Sequence, residues 1–214
     1  MVQNEKWSDI AVPNWKTHLE VGKRLQKWLK YSGEDYHLFL LGNVLPDINN
    51  GYIVKNISTR LPHHHTHFSD DETPSYIRFE NDYQGEMRKS PLVYGYFTHL
   101  FTDYYWNNDY YTKIDIRGMA SEDHTKLRIM KQDDFKVYNN KFIENTFEIL
   151  DFNTALQEIK RIHRVSITKE DILEVENFLN RRDTNTDKNF QFYQEQELDE
   201  LLEKTVDELL KMRK

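Results

Sequence analysis

Apolar residues recur along most of this chain at spacings of three and four, the period that gathers them on one side of an α-helix. Trp15, Leu25, Trp28 and Leu29 form such a stripe with His18 beside it, predicting a first helix over residues 14–31 with Asn14 as N-cap and Gly33 as stop. A short apolar helix over 35–44 ends at Leu45-Pro46-Asp47. Residues 49–71 read as loop, and Thr73-Pro74 starts another short helix with Tyr76, Ile77 and Phe79 turned inward. A helix follows from Pro91 to about Trp106, then an irregular stretch over 108–120. Ser121 is the expected cap of a helix that holds Leu127 and Met130 and leads into a stripe of Phe135, Tyr138, Phe142 and Ile149.

The last third repeats this style. Leu156, Ile159 and Ile162 form one stripe and Ile172, Val175 and Leu179 another, the latter behind a capping box of Thr168 and Asp171. A polar linker over 183–189 precedes a final helix with Leu198, Leu201, Leu202, Leu209 and Leu210 on one side. No strand-period segment exceeds a few residues and there is no internal repeat. The expectation is an all-α protein, a multi-helix bundle with a metal site between helices and loops of its N-terminal half. It is a single helical domain over 1–214, with 13–150 as the metal-site core and 151–214 as a C-terminal helical appendage.

One stretch breaks the amphipathic rule. Ser90–Asn107 is apolar or aromatic almost all round, which marks a buried helix, yet it carries His99 and Asp103. Four residues apart, these two share a face. A buried carboxylate needs a partner, and a metal ion would satisfy both residues; hydrogen bonds to neighbours are the alternative. Ser90 and Pro91 suit the N-cap and the first helical position.

Composition narrows the chemistry. The 214 residues are 38% hydrophobic and 30% charged, with a formal net charge of −7, which argues against a general nucleic-acid binder. There is no Cys, so a metal site must use His, Asp and Glu. Neither an apolar signal region nor a run approaching the roughly 20 apolar residues of a membrane span is visible, so the expected location is cytoplasmic. Oligomeric state is not legible.

Four motifs stand in order: W-K-T-H ending at His18, L-P-D ending at Asp47, T-H-F centred on His67, and H-L-F-T-D from His99 to Asp103. Three His and two Asp suffice for one closed site or two partly shared ones. The blocks NWKTHLEVGKRL, FLLGNVLPDI, THFSDDE and GYFTHLFTDYYWNN resemble, in order, those of the zinc-dependent phospholipase C family and the single-strand nucleases of the same helical fold. The resemblance implies that His67, His99 and Asp103 ligate a first zinc-class ion. It implies that Asp103 bridges to a second ion held with His18, and that Asp47 is the catalytic aspartate at the water, as ligand or general base. Secreted relatives add an N-terminal Trp amine and a later His-x-x-x-Glu set; here Trp7 and Trp15 are internal and no such set follows Asp103, so one or two ions are expected, zinc or another divalent metal. The implied substrate is a small phosphoester or phospholipid headgroup.

Among the other histidines, His63, His64 and His65 read as solvated loop residues or alternate ligands, His37 and His163 as structural, and His124 stays open. Asp133 and Asp134 read as a helix-start pair, and the aromatics from Tyr104 to Tyr111 as core with some lining a cleft. Two rival functions remain. An HD-type nucleotide phosphohydrolase is also helical, but the chain has no His-Asp dipeptide. A non-enzymatic binding domain with a structural metal would show the same ligands.

Overall fold

A computed structural model describes residues 14–69, 75–114, 120–142, 147–181 and 189–213. Among them lie α1 (Trp15–Leu29), α2 (Glu34–Gly42), α3 (Leu45–Ile48), α4 (His63–Thr66), α5 (Ser75–Met87), α6 (Pro91–Lys113), α7 (Ser121–Asn139), α8 (Phe152–Ile159), α9 (Lys169–Leu179) and α10 (Glu195–Met212), with a 3₁₀ turn at Asn140–Phe142. The described residues contain no strand, and the protein is all-α as its periodicity requires. None of the described helices is long and apolar enough to cross a membrane.

α6 is the axis. The Ser90 hydroxyl accepts from the Val93 N–H at 3.3 Å, and Pro91 occupies an early position whose N–H would lack a helical partner. The helix runs past the expected end near Trp106 to Lys113, because Tyr110 is as fully buried as Trp106. α2 and α5 lie against it, and α1, α3, α8 and α10 touch it further along. Trp106 Nε1 donates to Thr205 Oγ1 at 3.0 Å, tying α6 to α10. Residues after 151 share one apolar cluster with the N-terminal half: Ile172, Val175, Leu198 and Leu202 are in it with Trp15, Phe39 and Leu100.

α2 crosses α6 with backbones in contact. A Cβ on Gly42 would lie 2.1 Å from the Leu92 carbonyl oxygen, and one on Gly95 would lie 2.2 Å from that of Phe39. Only glycine fits at either position. This close crossing brings the end of α2 and the start of α3 onto the His99 face of α6.

Several local expectations are corrected. α1 ends at Lys30, left-handed at φ 58°, whose N–H donates to the Gln26 carbonyl at 3.1 Å. Gly33, at φ 55°, instead precedes α2. The His63 tract is a helical turn rather than loop, and Ser121 is the first residue of α7 after Ala120 rather than its cap. Asp133 and Asp134 lie well inside α7. Asp134 is buried and accepts from the backbone N–H groups of Gln191, Phe192 and Tyr193, each at 2.7 Å, which anchors the approach to α10. The expected helix start at Thr73-Pro74 and the polar linker up to residue 188 lie outside the described residues, as does Trp7.

The Thr168–Asp171 capping box is present. Asp171 also accepts from the N–H and hydroxyl of Ser58 at 2.6 and 2.5 Å, fastening the segment between α3 and α4 to α9. Gly95→Ala should destabilise the protein by about 1–3 kcal/mol or more, since a methyl cannot enter a backbone contact without moving α2. Chemical denaturation checks this; an unchanged midpoint would mean that the helices do not touch there.

Candidate metal centre

Five side chains from four places in the fold converge on one buried spot. α6 supplies His99 and Asp103, α1 supplies His18, α3 supplies Asp47, and the residue following α4 is His67. Their exposures are 0% for His18 and His99, 3% for His67, 5% for Asp103 and 6% for Asp47. His99 Nε2 is 3.2 Å from both His67 Nε2 and Asp103 Oδ2, and His67 Nε2 is 3.4 Å from that oxygen. A tetrahedral ion with ligands at about 2.0–2.1 Å would space them about 3.3–3.4 Å apart. Asp47 Oδ1 lies 3.3 Å from His67 Nε2, and His18 Nε2 lies 3.1 Å from Asp103 Oδ1. Two triads have ligand atoms close enough to hold an ion, His18–His99–Asp103 and Asp47–His67–His99, and they share His99.

Hydrogen bonds on the far side of two rings decide which nitrogen faces the cluster. His99 Nδ1 is 2.8 Å from the Asn43 carbonyl and His67 Nδ1 is 3.2 Å from the His63 carbonyl. A carbonyl can only accept, so both Nδ1 atoms carry a proton there, and both rings turn Nε2 toward the cluster. The His18 ring stacks on His99 at 4.0 Å and 12°. Despite the short separations, both Asp103 oxygens and His18 Nε2 are buried without a hydrogen-bond partner. Imidazole and carboxylate atoms therefore crowd one another with the Asp103 oxygens and His18 Nε2 left unsatisfied, an arrangement that a cation relieves. The residues fit a zinc-class ion.

A family model for zinc dependent phospholipase C matches residues 17–213. The chain belongs to the zinc-dependent phospholipase C family. Comparison with curated proteins and comparison with solved structures each give no match. The family match takes in all five clustered residues and continues through α10, well beyond the last motif block, GYFTHLFTDYYWNN.

The charges of this zinc-dependent phospholipase C family member are strongly coupled at the cluster. Burial opposes ionisation of Asp103, yet His99, His18 and His67 hold it well below the usual carboxylate range. Asp47, also working against burial, is lowered to about 2 by His99 and then His67. Burial pulls His67 down, but Asp103 and Asp47 outweigh it and raise the imidazole to about 9. His18 is lowered, by burial first and then by His99.

Several outer contacts involve residues that the motifs did not single out as ligands. Trp15 Nε1 donates to Asp47 Oδ2 at 3.1 Å and Asn50 Nδ2 to Asp47 Oδ1 at 3.2 Å. The signal for Trp15 is its place three residues before His18, since a buried indole N–H needs an acceptor. His63 is not a solvated residue: its ring stacks on His67 at 3.7 Å, and burial, then His67, lower its pKa to about 3. His64 and His163 are exposed, while His37 Nδ1 donates to the Glu148 carbonyl at 2.6 Å. His124 is half-buried and belongs to neither triad. Tyr104 is exposed, while Trp106 and Tyr110 are core.

These shifts make the metal-free protein pH-sensitive in a defined direction. His67 is raised from 6.5 to about 9, so its proton contributes stability below pH 6.5 that is lost as pH rises through about 9. Metal-stripped protein should lose stability across that window, and zinc-loaded protein should not, because the ion replaces the proton as counter-charge. Denaturation midpoints at the two ends of the window check this; a flat profile for stripped protein would contradict it.

Proposed function

We propose that this chain is a metal-dependent hydrolase of phosphoester bonds, acting on a small phosphoester or a phospholipid headgroup. The observation that carries the reading is the buried set of mutually facing, unpartnered imidazole and carboxylate atoms in a chain of this family. His67, His99 and Asp103 hold one zinc-class ion, and His18 with a shared Asp103 helps to hold a second, weaker one. Such an ion, when bound, acidifies water at neutral pH and draws charge from phosphoryl oxygens.

The protein's own groups set the geometry around it. The Asn43 and His63 carbonyls keep the ligand imidazoles in the Nε2-inward tautomer. Asp47 is steadied by Trp15 and Asn50 and keeps its negative charge, its pKa being lowered to about 2. It serves as an acceptor that orients the attacking water at Oδ1 rather than as a store for its proton. The low exposure of all five residues, at most 6%, favours one second reading, a structural metal in a non-enzymatic domain.

A panel of phosphomonoesters, phosphodiesters and a short-chain phospholipid, run on zinc-loaded and stripped protein, separates the two. Turnover restored by zinc supports hydrolysis, and bound metal with no turnover supports the structural reading. Asp47→Asn should lower the rate by about 100-fold or more while leaving most of the metal bound. Equal losses of rate and metal affinity would make Asp47 an ordinary ligand.

A further inference from the structure

α7 carries a row of basic residues, His124, Arg128 and Lys131, spaced four and three apart and so on one face. Lys131 is 2% exposed, a rare state for lysine. Its Nζ donates to Asn107 Oδ1 at 3.0 Å and lies 4.2 Å from the centre of the Tyr110 ring. Asn107 and Tyr110 belong to α6 and continue the face of His99 and Asp103, Asn107 standing one turn beyond Asp103. Asp103 is close enough for its charge to act on Lys131. The Tyr110 hydroxyl is buried without a hydrogen-bond partner, and Asn107 beside it is half-buried.

Packing alone does not account for Lys131. An apolar side chain would fill the place between Tyr110 and Phe135 without the cost of burying an ammonium. An ammonium has three N–H groups, and Asn107 is its hydrogen-bond acceptor among the described residues. A cation placed one helical turn from a metal-binding carboxylate is suited to an anionic oxygen on a group that the metal also holds.

We propose that Lys131 binds a phosphoryl oxygen of the substrate, so that the ester is held between the metal cluster and the Lys131–Asn107 pair. This rests on reading the cluster as a phosphoester-hydrolysing metal centre, and it specifies the substrate as one with a free anionic phosphoryl oxygen. Burial and then Arg128 lower the Lys131 pKa to about 7, and an arriving anion favours the charged form.

The test compares the full chain with Lys131→Met and Lys131→Arg, with Lys131→Gln as a second variant should methionine impair folding. Inorganic phosphate is titrated calorimetrically into zinc-loaded and metal-stripped protein, with metal content and denaturation midpoint measured alongside. Lys131→Met should weaken phosphate binding by about tenfold or more in both metal states, and Lys131→Arg should stay within about threefold of wild type. Metal content should not change. KM, more than kcat, should rise for bis(p-nitrophenyl) phosphate or for a short-chain phospholipid, and the one affected identifies the source of the phosphoryl group. Equal phosphate affinity in wild type and Lys131→Met, or no phosphate binding by wild type in either state, overturns the proposal. A wild-type protein that takes up no metal would sink the metal-centre reading instead, while the stripped-protein titration still judges Lys131.

Discussion

The structure turns on one carboxylate that cannot be left as it stands. Asp103 is 5% exposed, held well below the usual carboxylate range, and has the Nε2 atoms of His18, His67 and His99 at 3.1, 3.4 and 3.2 Å from its oxygens. An uncompensated charge at that depth would cost several kcal/mol. Either a proton on a neighbouring histidine or a metal ion must compensate it. The orientations of His67 and His99 are compatible with the ion, because the Nδ1 of each lies against a carbonyl oxygen and its Nε2 faces the cluster.

The rest of the fold serves that arrangement. α6 is apolar on nearly every side, so neighbours enclose it, and His99 and Asp103 come to lie in the core without strain in their own helix. The Gly42–Gly95 contact presses α2 onto α6 closely enough for the Asn43 carbonyl to reach His99. α1 brings His18 onto the His99 ring and Trp15 onto Asp47. Beyond α3, Asn49 bonds to the Thr59 and Ser166 carbonyls, and Asp171 grips Ser58, so the long connection to His67 is tied down at both sides.

Helix content and the His99–Asp103 pair were legible because both are local: one is a period, the other a four-residue spacing inside an apolar run. The gathering of His18, Asp47 and His67 was legible through motif order and family resemblance, since no local pattern links residues so far apart. Helix ends were less legible. Lys30 takes the left-handed position that glycine usually marks, and Gly33 takes another. Asp134 reads as a charge at a helix start, yet it is the acceptor for three N–H groups from a distant segment. The stacking of His63 on His67 and the burial of Lys131 depend on which helices meet, so they carry no signature in a single sequence.

The most direct test of a metal centre built from these five residues is zinc-edge X-ray absorption on protein purified without a metal-affinity step, with metal content measured on the same sample. The account predicts one or two ions per chain, with only nitrogen and oxygen neighbours at about 2.0–2.1 Å and an imidazole signature from His67 and His99. Protein that binds no stoichiometric metal after zinc loading, or that keeps the same zinc spectrum when His99 is replaced by alanine, would contradict it.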